Sequence, residues 1–172
     1  DFGHAVGNIT IPDSVTEIGA DTFAWIDTTH LNCNEYENAK YLGNVNNPYM
    51  VLVSANNRDI TECKINTNTK VISGVAFYRC EKLTEIEIPS NVTQMGDYAF
   101  GFCDKLTAVT IRNGIKYIGY AAFICCNSLA DIKIPGSVEI IEKYAFGDCG
   151  NLKSIYCESE SKPDGWDDDW IE

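Results

Sequence analysis

The chain is predicted to fold as a solenoid of short parallel strands, and three recurring patterns predict it. Phe77, Phe100, Phe123 and Phe146 recur every 23 residues, each preceded by an alanine (Ala76, Ala99, Ala122, Ala145). A cysteine follows each phenylalanine after three residues (Cys80, Cys103, Cys126, Cys149), and a leucine after six (Leu83, Leu106, Leu129, Leu152). Beyond the leucine comes an alternating apolar pair: Ile86 and Ile88, Val109 and Ile111, Ile132 and Ile134, Ile155 and Cys157. A period in the low twenties signals a solenoid, because so small a unit buries its apolar face only by stacking on its neighbours.

Period-two alternation argues one short, half-buried strand per repeat. Towards the N-terminus, Ile60, Cys63 and Ile65 match the same template, as do Val6, Ile9 and Ile11, and Leu31 and Cys33 fill the gap between them. Seven strands are therefore expected, spanning about 30 Å when stacked. Pro12, Pro89 and Pro135 sit just after a strand, where a residue without an N–H stops the ladder. Val15, Val92, Ile115 and Val138, then Ile18, Ile72, Met95, Ile118 and Ile141, are expected to point inward. Gly19, Gly96 and Gly119 follow and read as permissive turn positions. The stretch ending in Ala-Phe, such as Asp97-Tyr98-Ala99-Phe100, suits one short helical or 3-10 turn, with the rings stacked as an internal spine.

Residues 34–59 make one enlarged, irregular coil. Tyr41-Leu42-Gly43 and Tyr49 to Val53 are β-prone and flank Asn44, Asn46, Asn47 and Pro48, which predicts a hairpin bulging from the convex arc. Residues 158–172 leave the pattern: Pro163 and Gly165 mark a turn, and Trp166 and Trp170 are placed to seal the last coil. Residues 1–172 thus read as one domain of about seven coils. Because Asp1 starts inside a coil with no cap before it, the chain is expected to belong to a longer array.

The chemistry-bearing residues are sparse. The net charge of −12, from 25 acidic and 13 basic residues, disfavours nucleic acid and anionic membranes as partners. No apolar run approaches the roughly 20 residues of a membrane span. Eight cysteines suggest a disulfide framework at first sight. Four of them occupy one repeat position, however, so a ladder of reduced, buried thiols is expected instead, with Cys33, Cys63 and Cys157 behaving alike and Cys125 the most exposed. No Cys-x-x-Cys pair is present to hold zinc.

His4 and His30 are the two histidines. A His30–Cys33 nucleophile pair would tend to point to opposite faces of a strand. Asp167, Asp168 and Asp169, with Glu158 and Glu160, lack the alternating spacing of a calcium loop and read as a solvated acidic tail. Asn8-Ile9-Thr10 and Asn91-Val92-Thr93 match the glycosylation sequon, relevant only in a eukaryotic secretory host. No catalytic motif is present, no cofactor is implied, and an enzyme is not expected.

The repeat, written Ile-Pro-x-x-Val-x-x-Ile-Gly-x-x-Ala-Phe-x-x-Cys-x-x-Leu-x-x-Ile-x-Ile, resembles the BspA-like leucine-rich repeats. The match is nearly literal from Ile88 to Ile111 and from Ile134 to Tyr156, and recognisable from Ile9 to Phe23. Tyr41-Leu42-Gly43-Asn44 with Asn47-Pro48-Tyr49, and Tyr156-Cys157-Glu158 with Gly165-Trp166, also look like segments of that family. Ile26 and Thr69 depart from it, standing where cysteine and valine are usual. The resemblance implies a secreted or cell-surface leucine-rich-repeat solenoid. It also implies adhesion to host matrix proteins such as fibronectin and fibrinogen, without defining ligand residues.

Binding is then expected on the outward strand positions or on the inserted hairpin. One outward column reads Thr10, Asn32, Lys64, Glu87, Thr110, Lys133 and Tyr156; the other reads Asn8, His30, Glu62, Glu85, Ala108, Asp131 and Ser154. Candidate protein-binding residues are His30, Asn32, Glu62, Lys64, Glu85, Glu87, Thr110, Asp131, Lys133 and Tyr156, with Tyr49 on the hairpin. The surface is polar and of mixed charge, which suits weak, avidity-driven capture of a protein partner. The alternative reading is a structural spacer that displays another domain of the parent chain.

Overall fold

The computed structural model describes residues 8–172; Asp1, His4 and Val6 lie outside them. Twelve short strands follow in order: β1 (Asn34–Tyr36), β2 (Ala39–Leu42), β3 (Val51–Ala55), β4 (Val71–Ile72), β5 (Glu85–Ile88), β6 (Gln94–Met95), β7 (Ala108–Ile111), β8 (Tyr117–Ile118), β9 (Asp131–Ile134), β10 (Ile140–Ile141), β11 (Ser154–Cys157) and β12 (Gly165–Trp166). They build a solenoid of about five turns with two strand-bearing sides. One side is an eight-stranded sheet in the order β1-β2-β3-β4-β6-β8-β10-β12, parallel from β3 onward. The other side holds two separate parallel pairs, β5-β7 and β9-β11.

Between the two sides runs the core. Ile86 and Ile88 reach it from β5, Ile72 and Met95 from β4 and β6, and the phenylalanines lie at its centre. The rings stack almost flat: Phe77 on Phe100 at 4.9 Å, Phe100 on Phe123 at 5.2 Å and Phe123 on Phe146 at 5.1 Å, with interplanar angles of 7°, 5° and 8°. The cysteine column has a polar role beside this spine. Cys103 donates its thiol hydrogen to the Phe77 carbonyl, Cys126 to that of Phe100 and Cys149 to that of Phe123, at 3.1–3.3 Å. A thiol there fills space as a small apolar group and still serves a buried carbonyl of the preceding coil. All eight cysteines are free.

The turn after each sheet strand is not helical, although a helical or 3-10 turn is expected from the sequence. It keeps i→i−3 bonds, such as Tyr78 N–H to Val75 at 3.1 Å and Cys80 N–H to Phe77 at 3.0 Å. Two non-glycine residues per coil, however, are left-handed. Val75, Tyr98, Ala121 and Tyr144 precede the phenylalanine by two, and Arg79, Phe102, Cys125 and Asp148 follow it by two, all with φ between 51° and 60°. Each such residue costs about 1–2 kcal/mol. The return is a third hydrogen-bonded seam, because alternate N–H groups then aim at the next coil: Val75 to Asp97 at 2.8 Å, Phe77 to Ala99 at 2.7 Å and Arg79 to Gly101 at 2.9 Å.

The glycines also differ from expectation. Gly96 and Gly119 do not have positive φ. A Cβ on Gly119 would lie 2.7 Å from the Gly96 carbonyl carbon and from Asp97 Oδ1, so close approach of coils, not turn geometry, demands glycine.

Seven stacked strands were the expectation, but strands form at four of those positions: 85–88, 108–111, 131–134 and 154–157. Residues 9–11, 31–33 and 63–65 are not strands. The hairpin explains the first two gaps. It does not bulge from an arc: β2 and β3 pair antiparallel, β1 adds to β2, and β3 pairs parallel with β4. Strand β3 thereby takes the sheet position next to β4. The first repeat instead lays Ile11 and Ala20, with Ile9, Val15, Ile18 and Phe23, over the outward valines Val51, Val53 and Val71, forming a second apolar cluster. Gly19 accordingly meets no close neighbour.

At the C-terminal end, Trp166 and Trp170 do close the core. Trp170 packs edge-on against Phe146 at 5.8 Å, and the Trp166 indole donates to the Val138 carbonyl at 3.3 Å. The carbonyls of Asp169 and Trp170 accept the N–H groups of Tyr144 and Phe146, standing in for a next coil.

Candidate functional site

The strand side carries an open groove of about 510 Å³, lined by Glu62, Cys63, Lys64 and Ile65, by β5, and by Ala108 and Thr110 of β7. Alternation sets its floor: Ile86 and Ile88 turn inward, leaving Glu85 and Glu87 exposed. The register pairs Glu85 with Ala108 and Glu87 with Thr110, so the two outward columns expected from the sequence are real on this ladder. They recur on the second pair, Asp131 opposite Ser154 and Lys133 opposite Tyr156.

The groove exists because the ladder stops. Thr84 N–H reaches the Thr61 carbonyl at 3.3 Å, but among the described residues 62–65 make no backbone hydrogen bond to β5. The segment is held from its other side by the hairpin. Asn38 Nδ2 donates to the Glu62 carbonyl at 3.0 Å, and Asn66 N–H donates to the Tyr41 hydroxyl at 3.3 Å.

Its charge is mainly negative. Glu37 and Asn38, from the β1–β2 turn, join Glu62, Glu85 and Glu87 around the single cation Lys64. Arg112 bonds Glu87 at 2.9 Å and holds its carboxyl below the usual range. Glu37, Glu62 and Glu85 have no ion-pair partner among the described residues. Glu37 and Asn38 were not foreseen; their sole sequence signal is the Glu-Asn pair between Tyr36 and Ala39, where both residues are left-handed, with φ of 43° and 68°.

The structure divides the expected binding residues into four groups. Glu62, Lys64, Glu85, Glu87 and Thr110 meet in the groove. Asp131, Lys133 and Tyr156 lie on β9 and β11, which no ladder joins to β7, and Lys133 is tied to Glu158 at 2.6 Å. Tyr156 stands 63% exposed. His30 and Asn32 are exposed on a bend outside the groove, because their segment is not a coil of the stack. Tyr49 is half-buried, packed edge-on between Tyr36 at 5.8 Å and Tyr41 at 5.5 Å, so it supports the hairpin.

The remaining chemistry-bearing groups are absorbed locally. Burial pushes the Cys33 thiol up, away from nucleophilic reactivity. Burial likewise pushes Cys63 and Cys80 up to about 12. Cys157, expected to share that shelter, is exposed, because it ends β11, which pairs on one side alone, with β9. Cys125, expected to be the most exposed thiol, is half-buried. In the acidic tail, Asp168 pairs with Lys162, and Asp169 with Lys143 at 2.7 Å. No cluster of three or more metal-ligating side chains occurs among the described residues.

Comparison with known proteins agrees with this geometry. The BspA type Leucine rich repeat region matches in six copies, over residues 3–45 and 54–163. The fold is similar to that of a leucine-rich repeat protein of T. pallidum, at 27% identity and a TM-score of 0.54, over 61% of this chain and 55% of the other. It is also similar to a leucine-rich repeat protein of Bacteroides ovatus, at 26% and 0.50, over 94% and 32%. A leucine rich cell surface protein of Faecalibacterium prausnitzii, at 24% and 0.61, shares the fold over 91% of this chain and 49% of its own. The chain thus spans between a third and just over half of these proteins. No curated protein matches it. A 23-residue repeat, a stacked phenylalanine spine and six matched copies lead to one conclusion: the chain belongs to the BspA-type leucine-rich repeat family.

Proposed function

We propose that the chain is a non-catalytic protein-binding module of a secreted or cell-surface adhesin, and that its groove between residues 62–65 and β5–β7 receives the partner. The observation that carries this reading is the gathering of Glu37, Glu62 and Glu85, none ion-paired among the described residues, along an open cleft. Carboxylates in that setting favour a cationic stretch of protein, and they steer its approach more than they raise affinity. Host matrix proteins are the partner class. Membership of the BspA-type family supports a surface location, and the F. prausnitzii protein that shares the fold is itself a cell surface protein.

The test displays the module in many copies on beads, where effective concentration amplifies weak contacts. Capture of immobilised fibronectin or fibrinogen is measured for the wild type and for Glu62→Gln with Glu85→Gln. Capture that falls in the double variant at unchanged Tm supports the adhesin. If the beads capture neither protein, the spacer reading replaces it.

A further inference from the structure

Among the described residues, the strand side lacks a cluster of aromatic and arginine side chains, the residues that dominate protein interfaces. Such a cluster lies elsewhere, on the turn edge near the N-terminal end of the stack. Tyr78 is its centre. The Arg58 and Arg79 guanidinium carbons each lie 5.7 Å from the Tyr78 ring centroid, and Arg79 also lies 5.6 Å from that of Phe102. Trp25 meets Tyr78 edge-on at 5.6 Å and is 69% exposed.

Backbone geometry builds this cluster. Trp25 and Arg79 each follow a repeat phenylalanine by two residues, at the left-handed position, with φ of 62° and 60°. The first repeat lies outside the stack, with Gly74 N–H bonded to the Ala20 carbonyl at 3.1 Å, and so brings Trp25 alongside Tyr78.

Charge points to the kind of ligand. Arg58 and Arg79 are two of the three arginines in a chain of net charge −12, yet among the described residues neither has a carboxylate within ion-pair distance. A cleft of about 480 Å³ opens between them, with three cations (Arg58, Arg79, Lys82) against two carboxylates (Asp59, Glu81). Asp59 is already engaged by Lys82 at 2.8 Å. Guanidinium groups held on aromatic faces are pre-organised, weakly hydrated donors for carboxylates. The exposed indole beside them offers an apolar anchor of the type that fills interface hot spots.

We infer that this edge is a second docking surface, which takes an acidic segment of a protein partner carrying an apolar or aromatic side chain. Carboxylates of that segment bond Arg58 and Arg79, and its apolar side chain packs on Trp25 and Tyr78. The proposal rests on the protein-binding reading but uses a different face of opposite electrostatic character.

The experiment pans a phage-displayed library of random dodecapeptides against the full chain, then repeats the binding with variants. Enriched peptides should combine Asp or Glu with an apolar or aromatic residue. Binding should fall about tenfold for Arg58→Gln with Arg79→Gln, the effect of losing roughly one hot-spot contact. Trp25→Asn, which tolerates the left-handed backbone, should weaken it as well. Glu62→Gln with Glu85→Gln should leave it unchanged, and thermal melts should show all three variants folded. No enrichment, enrichment of non-acidic peptides, or binding that follows the groove variants would overturn the proposal; the groove reading stands or falls separately, on the bead-capture assay. A hyaluronate oligosaccharide serves as the second arm. If it binds in an arginine-dependent manner while no peptide does, the edge is a glycan site and the peptide proposal fails.

Discussion

At the scale of single residues, departures from the repeat are the informative positions. Thr69 stands where Val92 and Val138 stand in later coils, and it is fully buried with no partner for its hydroxyl. An unsatisfied buried hydroxyl destabilises, so Thr69→Val should raise stability by about 1 kcal/mol, read from urea unfolding. The thiols form a second graded set. Burial holds Cys63 and Cys80 near 12 and pushes the Cys103 thiol up with them, while the neighbouring Cys149 sulfur and then burial raise that of Cys126. A reagent must also reach the sulfur, so alkylation of the native protein followed by mass spectrometry should label the exposed Cys157 first and the buried Cys103 and Cys126 last. Sequence reasoning finds the ladder from its spacing. It places Cys157 with the sheltered thiols because the pattern does not say which strand is last to be covered.

At the scale of the element, the coil is joined to its neighbours by the ring spine, the turn seam and the side-chain caps. Phe123 has a ring on each face, so Phe123→Ala empties the spine on both sides and should cost about 3–5 kcal/mol in thermal or urea unfolding.

The caps use carboxylates. Asp97 Oδ1 accepts Tyr120 N–H at 2.8 Å, and Asp21 Oδ1 accepts Asp97 N–H at 2.8 Å, with the Asp21 carboxylate occupying the space a side chain on Gly74 would need. Burial, and then the nearby Asp21 charge, raise the Asp97 pKa above its ordinary 3.8. A raised carboxylate pKa penalises the folded state at neutral pH, and the penalty fades as pH falls through the raised value towards 3.8. Asp97→Asn keeps an acceptor for Tyr120 without the charge. It should therefore be more stable than the wild type at pH 7, with the gap closing on acidification in melts across that range. The two left-handed residues per coil were not legible from residue types, since valine, tyrosine and phenylalanine are poor choices for positive φ. The inter-coil hydrogen bonds that stabilise them exist only once coils are stacked.

At the scale of the molecule, residues 8–27 cover a sheet instead of extending the stack. Their removal deletes one layer of the second apolar cluster and leaves every ladder from β1 to β12 intact. A chain lacking residues 1–27 should keep its far-ultraviolet circular dichroism but bind the dye ANS through newly exposed Val51, Val53 and Val71. Loss of the strand signal would show instead that the segment is needed for the stack to form. The same placement separates the two candidate binding regions, with an acidic groove on the strand side and arginines with tryptophan on the turn edge.

By itself the sequence determined the repeat length, the inward and outward columns, the phenylalanine spine and the tryptophan seal. All of these follow from local periodicity, because stacking identical units turns a spacing along the chain into a neighbour in space. Tertiary structure alone decided what happens where the periodicity breaks. The hairpin and the first repeat could each have occupied the sheet edge beside β4. Strand β3 occupies it, pairing Val51 with Val71 and Leu52 with Ile72, and the first repeat turns its apolar face onto the outward valines. That competition between two segments for one edge is not written in the spacing of either, and its outcome places Asn38 and Glu37 at the groove and Trp25 beside Tyr78 and Arg58.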